Sequence, residues 1–205
     1  MEKRLRARKS RKAELPSTRD FQFIGGSIAL DFVNTMGNRL GEKRDYFQST
    51  GDVNRWARLA GLISESESLR LNAEQMRRVR TVREELYGIF EPLAARPRPT
   101  QQEVARLNAM IGSISLNRRL RWAKGKVSWE SKVLVRDPMS MLTPILLNAA
   151  EVFVTGAFQK VRQCGDENCG WLFLDASQAG KRRWCSMADC GNRAKARRHY
   201  RAVAV

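Results

Sequence analysis

The chain has 205 residues, 42% hydrophobic and 29% charged, with a net charge of +17 from 38 Lys and Arg against 21 Asp and Glu. That length and apolar share suit one sizeable domain plus a small module and exclude wholesale disorder; no run approaches a membrane-spanning stretch and the polar, basic start lacks a secretory signal, so a soluble, cytoplasmic protein is expected. So large a basic surplus points to a polyanionic partner, nucleic acid ahead of an anionic membrane surface.

Residues 1–19 hold eight basic and two acidic side chains. The opening MEKRLRARKSRK cannot bury enough surface to offset its ordering entropy, so a disordered basic arm is expected over 1–19, either a nucleic-acid arm or a plain solvated tail. Order should begin near Phe21, where FQFIGGSIALDFVNT sets a short strand-like piece before Gly25 and Gly26. Ser27 then reads as the N-cap of a helix burying Ile28, Leu30, Phe32 and Val33. Asp31 and Asn34 are the polar exceptions in this stretch; they either line a ligand pocket or satisfy nearby backbone groups.

Helix signals recur downstream. Asp52 reads as a cap before Trp56 and Leu59, with Gly61 as the stop. Asn72 with Gln75 precedes an apolar stripe of Met76, Val79, Val82, Leu86 and Ile89, which Pro92 should end or kink. After the turn at Arg96–Pro99, Thr100 with Glu103 forms a capping box before Val104, Leu107, Ile111 and Ile114. Between Leu120 and Glu130 the pattern alternates: Leu120 and Trp122 before Gly125, Val127 and Trp129 after it, a short hairpin whose tryptophans should cover the helical core. A last long helix is expected from Pro138, capped by Asp137, with Leu142, Ile145, Leu146, Ala149, Val152 and Phe153 facing inward. The fold class is therefore mainly α, with residues 20–159 forming a helical domain that carries a small β-hairpin.

All four cysteines fall in one 27-residue window, as two C-x4-C pairs separated by fifteen residues. In a reducing compartment such spacing favours metal over disulfides, and four thiolates in a tetrahedron favour zinc, with iron the commonest impostor. Cys164, Cys169, Cys185 and Cys190 are the expected ligands of one structural zinc ion, since four protein thiolates leave no open position for a catalytic water. Over 160–205 the expected order is a strand (Val161–Gln163), a knuckle (CGDENC), a strand (Trp171–Leu174), a returning strand (Lys181–Trp184) and a helix after Cys190, a treble-clef-like finger. A module this small has little core of its own, so metal binding should supply most of its folding free energy, on the order of 10 kcal/mol in zinc-finger peptides.

In that last helix Arg193, Arg197 and Arg201 share one face, Lys195 and Arg198 widen the basic surface, and Ala196, Tyr200 and Val203 form an apolar stripe for packing. Arg182 and Arg183, with Lys181, can extend the surface from the preceding segment. These residues are the candidate nucleic-acid contacts, against a merely solvated basic face. Trp171, Phe173 and Trp184 read as finger core. His199, the sole histidine, is surplus to the four thiol ligands. With no nucleophile and base pair, no phosphate-cradling glycine loop and no catalytic metal set, enzymatic activity is not expected.

The string Trp184-Cys-Ser-Met-Ala-Asp-Cys190-Gly-Asn-Arg193, followed by Lys195 and Arg198, resembles the signature of the bacterial CGNR zinc-finger family. FIGGSIALDFVNT and the later Trp56-Ala-Arg-Leu-Ala-Gly-Leu62 resemble the ABATE domain that usually precedes that finger, a domain associated with stress-induced transcription regulation. The two matches frame the chain from about Phe21 to Ala202. The resemblance implies a zinc-containing, DNA-binding transcriptional regulator; in the leading reading the finger and basic arm touch DNA, and the helical domain senses a ligand or forms a homodimer. An RNA- or ribosome-associated zinc protein is the alternative, because basic treble-clef fingers also serve RNA. A small-molecule binder or enzyme using Asp31 and Asn34 ranks third. Arg193 either reads guanine through a bidentate contact or holds the zinc knuckle in place.

Overall fold

The computed structural model describes residues 21–114, 118–123, 126–131 and 136–203, with side chains described outside 118–131 and 203. The basic arm expected over 1–19 lies outside the described residues.

Ser27 starts α1 (Ile28–Val33), its Oγ accepting the Leu30 N–H at 3.3 Å. The segment before it is no strand: Phe21–Ile24 has no ladder partner, and its rings pack instead, Phe21 on Tyr46 and Phe47, Phe23 stacked on Trp56. A minimal antiparallel pair follows, β1 (Met36–Gly37) with β2 (Arg44–Asp45). Next, α2 (Thr50–Leu59) begins earlier than an Asp52 cap would allow. Ser49 is the N-cap, accepting the Asp52 N–H at 3.3 Å, while the Asp52 carboxylate accepts the Ser49 N–H at 2.9 Å; Asp52 is thus the third-position half of a capping box. Gly61, at φ +69°, provides the stop. Trp56 is buried and Leu59 is exposed.

The Asn72–Gln75 box opens α3 (Ala73–Ala95) as its spacing predicts. Pro92 does not end this helix. It leaves the Gly88 carbonyl without its helical donor, and the Arg106 guanidinium of the next helix approaches that oxygen at 3.5 Å. The Thr100–Glu103 box opens α4 (Gln101–Gly112). There Leu107 and Met110 are buried while Val104 is exposed, because Glu103 turns inward to the cap and to Arg96 at 2.8 Å. The hairpin forms as read, β3 (Arg118–Ala123) against β4 (Lys126–Ser131), with Leu120 opposite Trp129 and Trp122 opposite Val127. The covering role of its tryptophans falls outside the described side chains. The last long helix is split: Pro138–Met141 is a 3-10 turn, and α5 (Leu142–Val154) follows. Asp137 makes no cap hydrogen bond, its backbone lying at φ −121°, ψ 87°, away from the extended geometry that aims a capping side chain.

The main core gathers α1, α2, α3, α4 and α5, with Phe32, Phe47, Trp56, Leu86, Phe90 and Ile145 fully or almost fully buried. It does not stop at the finger. There β5 (Val161–Gln163) pairs antiparallel with β6 (Leu172–Leu174), and side chains alternate across β6. Val161, Leu172 and Leu174 pack into the helical core, whereas Trp171 and Phe173 face the cysteines, where Ile24, Tyr46 and Trp184 complete a second cluster. The finger is therefore no free-standing module, and burial against the helices adds to what metal binding contributes. Lys181–Trp184 forms no strand; it stays beside the knuckle through the Gly165 N–H donating to the Arg183 carbonyl at 2.9 Å. The last described element is α6 (Asn192–Val203), entered through a π-helical turn, Met187–Gly191.

Candidate metal centre

The first cysteine pair sits on a tight knuckle. The Cys169 N–H donates to the Asp166 carbonyl at 3.1 Å, the Cys164 N–H to the Trp171 carbonyl at 2.8 Å, and Gly170, at φ +68°, turns the chain into β6. A Cβ at Gly170 would meet the Cβ of Arg39 at 2.8 Å, so only glycine fits. The second pair is set by Asp175, whose buried carboxylate accepts the N–H and hydroxyl of Ser177 and the Arg182 N–H, and by the Ser186 cap on the turn that carries Cys190. All four sulfurs lie within 4.8 Å of one another, with Cys169 to Cys185 at 3.7 Å and Cys185 to Cys190 at 3.6 Å. Zn–S bonds of about 2.3 Å in a tetrahedron require sulfur separations of about 3.8 Å, whereas a disulfide requires about 2.05 Å. The spacing fits zinc and excludes paired cystines; all four cysteines are free and buried.

Electrostatics fit the same ion. Hydrogen bonds among the four thiols lower Cys164 and raise Cys169 and Cys185, so the protons are shared within the cluster. Cys190 precedes the N-terminus of α6, where the helix dipole favours a thiolate, and Arg193 Nη2 donates to its sulfur at 2.9 Å. Bound zinc ties the knuckle to the helix and keeps four thiolates ionised; its role is structural. His199 is exposed on α6 and outside this set.

The centre is bolted to the helical domain by residues the sequence reading assigned otherwise or passed over. Asn34 Nδ2 donates to the Leu172 carbonyl at 2.8 Å, and its Oδ1 accepts the Leu172 N–H at 3.0 Å. Asp31 accepts the Gly25 N–H at 2.7 Å, and Gly25 in turn accepts from the Leu174 N–H. Both residues thus satisfy backbone groups where the finger docks, the second of the two roles open to them. Burial pushes the Asp31 carboxyl up to about 6, against the pull of the Gly25 and Ile24 N–H groups. The Arg39 N–H donates to the Cys169 carbonyl at 2.9 Å, and the Trp171 indole to the Met36 carbonyl at 3.0 Å. The Arg39 guanidinium lies 3.9 Å above the Tyr87 ring and pairs with Glu84 at 2.6 Å. Glu84 also accepts from Arg83, which is 1% exposed and grips Asp45 with two bonds of 2.6 and 2.9 Å. An ion network thus runs from β2 through α3 to the knuckle.

The candidate nucleic-acid residues divide. Arg182 is spent inside the finger, 4.4 Å over the Phe173 ring and donating to the Trp184 and Cys185 carbonyls. Arg193, Arg197 and Arg201 do share a face, and that face turns to the knuckle. Arg197 reaches Asp166 at 2.7 Å and Glu167 at 3.1 Å, Arg193 reaches Asp166 at 3.5 Å, and Arg201 reaches Glu167 at 3.6 Å. Burial would raise the Asp166 carboxyl, but the Arg197 bond, the Asn168 N–H and the charges of Arg193 and Arg197 hold it below the usual range. Lys195 and Arg198 are exposed, as is Arg183, which lies 4.9 Å over the Trp184 ring. The expected packing stripe of Ala196 and Tyr200 faces solvent instead: both are exposed, Tyr200 at 73%, and its ring lies edge-on to that of His199. Of the residues missed, only Asp166 and Glu167 left a signal: two acids inside the knuckle, matched to arginines at four-residue spacing.

A mainly helical domain whose core continues into a four-cysteine finger defines a structural zinc-finger protein. The chain belongs to the ABATE family, described as "Putative stress-induced transcription regulator", whose model matches residues 26–156, more than half of the sequence. The CGNR zinc finger matches residues 160–202, covering all four cysteines. No curated protein matches the chain.

Proposed function

We propose that this protein is a cytoplasmic DNA-binding transcriptional regulator that carries its nucleic-acid contacts on the zinc-anchored helix α6. One observation carries the reading: no residue of α6 from Asn192 to Ala202 is buried, its sequence NRAKARRHYRA contains no acid, and its base is fixed to the metal centre. The net charge of +17 supplies the long-range attraction to a polyanion. A helix with an exposed outer face of this kind fits the roughly 12 Å wide major groove of duplex DNA, whereas the deep, narrow major groove of A-form RNA does not admit one. In this reading the helical domain senses a ligand or dimerises, and no catalytic step is assigned to the chain. Among the described residues no helix is long and apolar enough to cross a membrane.

Genome-wide capture of bound nucleic acid tests the reading, together with titration of duplex DNA at several salt concentrations. Binding should weaken steeply with salt, as counterion release requires. Preferential capture of RNA would replace this function with the ribosome- or RNA-associated one.

A further inference from the structure

Helix α6 has two basic faces, and the structure gives them different surroundings. With 3.6 residues per turn, Arg193, Arg197 and Arg201 form one stripe, and Lys195, Arg198 and Ala202 form another on the far side of the axis, flanked by His199. The first stripe meets the carboxylates of Asp166 and Glu167 and the Cys190 sulfur. Asp166 has a fully buried side chain; of the arginines facing it and Glu167, Arg197 is 29% exposed, Arg193 52% and Arg201 76%. The second stripe is exposed along its length.

We propose that Lys195 and Arg198 contact the phosphates of duplex DNA, while Arg193 and Arg197 are positioning residues that aim the helix from the zinc knuckle. This rests on the DNA-binding reading above and divides the labour within it. A guanidinium already paired with a buried carboxylate must break that pair to reach a phosphate, and the carboxylate left behind would be buried and unpaired. Lys195 and Arg198 have no partner among the described residues and give up only water. Charge complementarity therefore selects the outer stripe for the polyanion. Ala202, with no long side chain, lets the backbone approach closely beside Arg198.

The test uses the full-length zinc-loaded protein and a short mixed-sequence DNA duplex, with a matched RNA duplex as comparison. The double variant Lys195→Ala with Arg198→Ala should lose about tenfold or more in affinity, and its salt slope should fall by about 2, one for each phosphate contact. Zinc content and melting temperature should stay at the wild-type values. Asp166→Asn gives the complementary reading. By charge alone, removing an acid beside the DNA should tighten binding; if Arg193 and Arg197 only position the helix, binding weakens and a chelator strips the metal faster. Unchanged affinity and slope in the double variant, or tighter binding by Asp166→Asn, overturns the division of labour even where the wild type binds DNA. A wild-type protein that does not bind the duplex, or prefers the RNA, overturns the DNA reading itself.

Discussion

Asn34 occupies the edge of β6 that β5 leaves free: one amide group donates to the Leu172 carbonyl at 2.8 Å and accepts the Leu172 N–H at 3.0 Å. The side chain of a helix-end residue thus substitutes for a neighbouring strand, and it joins the helical domain to the finger. Asn34→Ala leaves both backbone groups buried without partners, at a cost of about 2–4 kcal/mol. Denaturant titration followed by far-UV circular dichroism and by thiol accessibility checks this. Both signals should shift together, because one bond pair connects both cores.

Metal analysis of protein purified without added zinc should give about one zinc per chain, from the fit of four sulfurs to a tetrahedral ion. Cys164→Ser should abolish retention. A strong chelator should lower the melting temperature of the helices as well as that of the finger, since Val161 and Leu172 belong to the helical core. Metal-free protein with two disulfides would contradict the site.

Much of this is legible in the sequence, and the reason is range. The Asn72 and Thr100 boxes, the Ser27 cap and the paired cysteines depend on residues a few positions apart, so spacing alone reveals them. The cap of α2 reads three positions late, at Asp52, because Ser49 and Asp52 are reciprocal partners and either reads as a cap in isolation. What spacing cannot carry is the meeting of distant groups. Asn34 and Leu172 are 138 residues apart, and Arg39 and Glu84 are 45 apart. The arginines of α6 were visible as a stripe, yet which way the stripe faces depends on where the knuckle folds against it.

Arg83 grips Asp45 and Glu84 from a buried position, yet both carboxylates are partly exposed and keep Arg80 and Arg39 as partners, so Arg83→Ala should cost about 2–4 kcal/mol, mostly through the cavity it leaves, and Arg83→Met should cost less because it restores packing. Burial alone would raise both carboxyls, but the guanidinium bonds and charges of Arg83, Arg80 and Arg39 set them below their ordinary values. A depressed carboxylate stabilises the fold fully above its unfolded value, about 4, and the contribution is lost as pH falls through the lower folded value. Denaturant midpoints measured downward from about pH 5 should therefore fall more steeply in the wild type than in Arg83→Met.

Asp31 has the opposite sign. Its folded value of about 6 lies above its ordinary 3.8, so the folded chain holds the proton more tightly than the unfolded one. The ionised carboxylate therefore destabilises the protein above that value, and the penalty fades as pH falls through it. Asp31→Asn keeps an acceptor for the Gly25 N–H and removes the charge. It should unfold at higher denaturant than the wild type above about pH 6, with the gap closing toward pH 4.

The alternation along β6 also sets what happens to a chain that never acquires its metal. Trp171 and Phe173 would lose the packing partners that the four thiolates fix in place, and the same strand would release Leu172 and Leu174 from the helices on its other side. An uncovered apolar face of that kind is what proteases and holding chaperones recognise. Zinc shortage would thus be read as turnover of the whole polypeptide, and the cellular level of this protein would follow metal supply without a separate sensor.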